Sequence, residues 1–142
     1  MGIFKDDEWI VGKVDAEGYP LIVRARKSFP SLADREIFRH LIVITWEYQS
    51  NDSGLPVAES RKRIYEFEDV VDNHFADGRI GELAASITGH GEKEWRYYTH
   101  SPSEFMAELN SILQGLMKCP IELNALEDPE WRSLHELQAS GA

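Results

Sequence analysis

The sequence predicts an α+β fold of the ferredoxin-like split βαβ type, with an added N-terminal β-hairpin and a short C-terminal helix. Three observations lead there. From Leu41 onward the elements alternate as strand, helix, strand, strand, helix, strand, the order of the split βαβ arrangement. The two long polar-apolar segments repeat at helical spacing, whereas the segments between them alternate with a period of two. Ahead of this core stands a two-strand segment with its own turn. The expected organisation is one α+β domain over residues 1–142, with a core at 41–126, the hairpin at 9–29 and the terminal helix at 128–138.

Each element has a local cause. "EWIVGKVD" reads as a strand over residues 9–15, and "AEGYP" as the turn after it, punctuated by Gly18 and Pro20. "LIVRARKSF" then alternates: Leu21, Val23 and Ala25 on one side, Ile22, Arg24 and Arg26 on the other. "PSLADREIFRH" is a connector with a helical turn. "HLIVITWEYQS" is the strongest strand, over 41–48, and its apolar start suits a central position. "NDSGLP" breaks the chain. Residues 59–75 place Ile64, Phe67, Val71, His74 and Phe75 on one helical stripe with charge on the other side. His74 on that stripe reads as a core histidine, and Gly78 as the helix cap.

In "IGELAASIT", Leu83, Ala85 and Ile87 share a strand face. "GHGEK" is a turn, with His90 solvated, and "EWRYYTH" returns. "SPSEF" is a capping box: Ser101 caps, Pro102 opens the helix and Glu104 reaches back. Phe105, Leu109, Ile112, Leu113 and Leu116 form the stripe of that helix, which Pro120 stops. "IELNAL" is the last strand. "DPEW" opens the terminal helix with Asp128 as cap, and "QASGA" is its frayed end.

Composition narrows the function. The formal net charge is −10, and from Asp72 onward 12 acids face 5 bases. Nucleic-acid affinity requires Lys and Arg to displace counterions from phosphates, so nucleic acid and anionic membranes are both disfavoured, and a basic protein partner is favoured. No stretch approaches the roughly 20 apolar residues of a membrane span. The N-terminus "MGIFKDDEWI" lacks a signal-peptide core, and one cysteine, Cys119, permits no internal disulfide. A cytoplasmic setting is expected.

The run "GHGEKEWRYYTHSPSEF" resembles the aromatic strand on which RNA-recognition modules stack bases. Its glycine is missing and acids flank the aromatics. Trp95 and Tyr97 share a face that Tyr98 opposes, so Trp95 and Tyr97 are expected inside the sheet, under the helices. The five histidines show no metal-ligand spacing, and no nucleophile elbow or phosphate loop occurs. The expectation is no metal, no cofactor and no catalytic residue. The remaining candidates for binding are Arg24 and Arg26 on the hairpin and Arg96, Tyr98 and His100 on the aromatic strand. If the two strand faces coincide they form one polar patch away from the helices; if not, they are solvated positions paired across strands with acids such as Glu47 or Glu82.

The segments "ITWEY", "GLP", "YEFED", "EWRYYTHSPSEF" and "CPIELNALEDPEW" together resemble the bacterial domain of unknown function 695 family, over most of the chain from Trp9 to Trp131. The resemblance implies no activity and no catalytic residues. Some architectures join this domain to the acidic type B regulator of ribonuclease E activity, itself a small α+β protein, which implies contact with another protein. The reading from sequence is therefore a non-enzymatic cytoplasmic binding or regulatory module with a protein partner. An enzyme or small-molecule binder using the polar sheet face, and a self-associating homo-oligomer, stand as alternatives.

Overall fold

The computed structural model describes residues 2–116 and 118–140. In chain order the elements are β1 (Trp9–Ala16), β2 (Tyr19–Arg26), α1 (Leu32–Ile37), β3 (His40–Glu47), α2 (Ala58–Phe75), β4 (Gly81–Gly89), β5 (Glu92–Thr99), α3 (Pro102–Leu113), β6 (Ile121–Glu127) and α4 (Arg132–Ser140). The strands form one six-stranded sheet ordered β1-β2-β4-β5-β3-β6, antiparallel at every pairing. It is an α+β fold. Both hairpins close on two residues at positive φ, Glu17-Gly18 (54° and 85°) and His90-Gly91 (53° and 84°). Such turns match the twist of the strands they join, and glycine takes the second position without steric penalty.

One face of the sheet carries α2 and α3. Ile64, Phe67, Val71 and Phe75 of α2 and Phe105 and Leu109 of α3 close over Ile42, Ile44, Trp46, Trp95 and Tyr97. The expected burial of Trp95 and Tyr97 under the helices holds. At the start of α3 the Ser101 hydroxyl accepts from the Glu104 amide at 3.2 Å. The other half of the capping box differs: the Ser101 amide donates to Thr99 Oγ1, and Glu104 lies 3.7 Å from His100 instead. The helix ends at Leu113, and Leu116 follows in a turn bonded back to it. Two local expectations are corrected on α2. The cap is Ala76, with Gly78 two residues on at φ +69°. His74 lies at the exposed rim, where its Nε2 sits 3.0 Å from Glu108 Oε1 and links α2 to α3. At i+3 from Val71 it falls just off the inward arc.

On the other face, the side away from α2 and α3 where a polar patch was one expectation, α4 covers part of the sheet. Trp131, Leu134 and Leu137 pack on Val23, Ala25, Leu41, Ala84, Ala85 and Tyr98, and Gln138 Nε2 donates to the Arg26 carbonyl at 2.9 Å. Asp128 caps this helix as expected, accepting the amides of Arg132 (2.9 Å) and Ser133 (3.0 Å). The helix starts later than 128, however, because Pro129 and Glu130 form a turn and Trp131 stands at φ +56°. Positive φ is costly for a bulky side chain. Here the surroundings hold it: the indole stacks on Tyr98 with centroids 3.7 Å apart, and its Nε1 donates to the Phe38 carbonyl at 3.1 Å.

A candidate binding seam between the hairpin and the long helix

The register shows where the expected site residues lie. Arg24 pairs with Ser86, and Ser86 with Trp95, so Arg24 and Arg26 are on the α2 side of the sheet. Arg96 pairs with Ala85, which pairs with Ala25, so Arg96 and Tyr98 are on the α4 side. The five residues therefore do not meet in one patch. Tyr98 is buried under Trp131, its hydroxyl donating to Asp128 Oδ2 at 2.7 Å. Arg96 is held by Glu94 and by the Ser133 hydroxyl. His100 Nε2 lies 3.1 Å from the Arg79 carbonyl, and its ring stands edge-on to Phe38. Each of these three serves the packing of the α4 side or the strand end. With Trp95 and Tyr97 covered by the helices, none of the aromatic run offers an open platform.

Arg24 and Arg26 instead form part of a seam between the hairpin and α2. Ile22, Arg24 and Arg26 line one side at strand spacing. Arg61, Tyr65, Glu68, Asp72 and Ala76 line the other; their spacing of four, three, four and four puts them on one stripe of α2 or its continuation. The floor is β4 and β5, and β5 is bonded to the helix wall: Trp95 Nε1 donates to Glu68 Oε2 and the Tyr97 hydroxyl to Asp72 Oδ1, each at 2.8 Å. Two hollows follow one another along the seam. One, of about 510 Å³, lies among Trp9, Arg24, Arg26, Asp72, Glu82 and Tyr97. The other, of about 290 Å³, lies among Ile22, Leu55, Arg61, Tyr65, Thr88 and Lys93. The loop walling the second is tied down, since the Tyr48 hydroxyl donates to the Gly54 carbonyl (2.7 Å) and the Gly91 amide to the same oxygen (3.0 Å).

The charges in the seam are unevenly satisfied. Asp7 Oδ1 accepts from Trp9 Nε1 and Arg26 Nη1, both at 3.0 Å. Arg26 also donates to the Leu83 carbonyl, where the β4 bulge between Leu83 and Ala85 ends the β2–β4 ladder. Lys93 pairs with Glu68 at 3.1 Å. Arg24 sits over Trp9, its guanidinium carbon 3.7 Å from the ring centroid. Among the described residues the side chains of Arg24 and Arg61 make no hydrogen bond or ion pair.

Burial pushes the carboxyls of Asp72 and Glu82 above the ordinary carboxylate range. The Tyr97 hydroxyl opposes this at Asp72, and the Arg26 charge with the Ile3 and Phe4 amides opposes it at Glu82. Glu82 is only 8% exposed, and its Oε2 completes no hydrogen bond. A carboxyl whose folded pKa is raised binds its proton more tightly folded than unfolded, so its contribution to stability is fully present below the unfolded pKa and is lost as pH rises through the folded one. Glu82→Gln is therefore expected to flatten the decline in stability above about pH 4–5. Urea midpoints at a series of pH values check this; a variant with the wild-type slope would refute it.

Sequence reasoning read the outer side of α2 only as its charged side and so missed Arg61, Tyr65 and Asp72. The available signal was Tyr65, an aromatic on an otherwise charged face at helical spacing from both. The fold and the seam define an α+β protein whose antiparallel sheet carries a polar groove bordered by arginines. Residues 7–137 match the family DUF695, described as a family of unknown function, and the chain belongs to it. No curated protein and no solved structure matches the chain. Among the described residues no helix is long and apolar enough to cross a membrane, and no three or more His, Cys, Asp or Glu are grouped to hold a metal ion.

Proposed function

We propose that this protein is a non-enzymatic cytoplasmic binding or regulatory module, and that it contacts another protein along the seam between the hairpin and α2. We read β3-α2-β4-β5-α3-β6 as a ferredoxin-like split βαβ unit to which the hairpin adds two strands; the spatial order β4-β5-β3-β6 supports that reading. The observation that carries the functional reading is the set of exposed large side chains at the seam. Val11, Ile22 and Tyr65 are 67%, 38% and 52% exposed. Val11 pairs with Arg24 across the hairpin, and Ile22 and Tyr65 border the second hollow. Tyrosine and arginine, here Tyr65 with Arg24 and Arg61, are among the types enriched where protein contacts carry most energy.

The test is affinity capture from the source cell with tagged wild type, Ile22→Asp and Tyr65→Ala, and with Arg132→Glu on the far side as control. The expected result is a captured protein that the two seam variants lose and the control retains. Melting temperatures should stay within a few degrees of wild type, because surface substitutions usually change stability by no more than about 0.5 kcal/mol. Seam variants that capture everything the wild type does would overturn the reading.

A further inference from the structure

We infer that the seam receives an acidic segment of the partner, with an apolar side chain seated against Ile22 and Tyr65 and carboxylates on Arg24 and Arg61. The inference rests on the seam being the contact surface and adds the chemistry of what enters it. The whole-chain charge of −10 points to a basic partner, but the local pairing points the other way. The acids of the seam are engaged or enclosed, and Asp6 at its mouth accepts the Glu8 amide at 3.0 Å. Asp7 holds Trp9 and Arg26, Glu68 holds Trp95 and Lys93, and Asp72 takes the Tyr97 hydroxyl. Glu82 is enclosed, beside the Ile3 and Phe4 amides and within the field of Arg26. Arg26 and Lys93 are used by these same acids, leaving Arg24 and Arg61 with donors to spare.

Stacking over an indole uses the face of a guanidinium and none of its N–H donors, and its edge matches a carboxylate with two parallel hydrogen bonds. Around the second hollow the lining charges are Arg61 and Lys93, with no carboxylate among the lining residues. Repulsion from the rest of the acidic chain acts at longer range. It is damped beyond roughly 8 Å at physiological ionic strength, whereas contacts inside a groove are screened much less.

The probes are two labelled synthetic peptides, one with Leu flanked on each side by Glu and one with Lys in place of each Glu, titrated by fluorescence anisotropy into the full chain at physiological salt. The Glu peptide is expected to bind, and Arg24→Gln with Arg61→Gln is expected to weaken it at least tenfold. Arg61→Gln alone, at an exposed helix position, is expected to show part of that loss with an unchanged melting temperature. Equal or tighter binding of the Lys peptide, or unchanged affinity in the double variant, would overturn the inference. A labelled RNA oligonucleotide that binds as tightly and is lost in the same variant would overturn it too, by making the seam a general polyanion site. If the Glu peptide fails to bind while Ile22→Asp still abolishes partner capture, the contact surface stands and the acidic segment alone is refuted. If the peptide fails and capture is unaffected, both fall.

Discussion

Trp131→Ala is expected to destabilise the protein by about 3–5 kcal/mol, the usual range for removing a large buried aromatic. The indole is fully buried and fastens the C-terminal helix to the sheet through three contacts: the stack on Tyr98, the edge contact with Phe4 at 5.7 Å, and the hydrogen bond to Phe38. Alanine loses all three and keeps the unfavourable φ of +56°. Glycine at the same position also loses the ring but relieves the backbone, since it occupies positive φ without a Cβ clash. Trp131→Gly is therefore expected to be the milder variant by about 1 kcal/mol, an inversion of the usual order of alanine and glycine. Urea denaturation of the two variants reads both effects. An alanine variant as stable as the wild type would show that α4 is not an integral cover of the sheet, and a glycine variant weaker than alanine would show that the φ is not strained.

Trp95→Ala is expected to cost a similar ~3–5 kcal/mol, for a different reason. Trp95 is enclosed on the α2 side of the central strand β5, against Phe67 with ring centroids 5.0 Å apart. Its removal leaves a cavity under α2 and releases Glu68 from the indole N–H, with Lys93 as the remaining partner. Trp95→Phe restores most of the apolar volume without the donor and is expected to recover more than half of the loss. Because Glu68 belongs to the seam wall, Trp95→Phe should also weaken partner capture more than its stability change accounts for. Denaturation and capture measured on the same preparations separate the two effects. A Trp95→Ala variant with near wild-type stability would mean that the ring is not part of the core.

The local readings succeeded where short-range periodicity is decisive. The inward stripe of α2 at Ile64, Phe67, Val71 and Phe75 follows from spacing alone, as does the opposition of Tyr98 to Trp95 and Tyr97. His74 departs from the stripe because its position counts as apolar-facing by spacing yet reaches the rim, where Glu108 of another helix is available. Half of the capping box forms. Ser101 caps through its own hydroxyl, but the amide assigned to Glu104 is taken by Thr99, a neighbour whose position depends on where β5 ends.

What the sequence by itself determined is the list of elements, the turns at Gly18 and Gly91, the caps at Ser101 and Asp128, and which side chains share a face within each strand. Those are properties of neighbours within about one helical turn or a few strand positions. Tertiary structure decided how the faces of different strands align and what covers them. Arg24 joined the side of Trp95, not that of Arg96, through the register Arg24–Ser86–Trp95 across three strands. Tyr98 became core because Trp131 arrived from 33 positions later in the chain, held in turn by the Phe38 carbonyl, 93 positions earlier. Alternation along one strand specifies a side chain's direction only relative to that strand. The common frame comes from pairing between distant segments and from the apolar area that each possible cover removes from water.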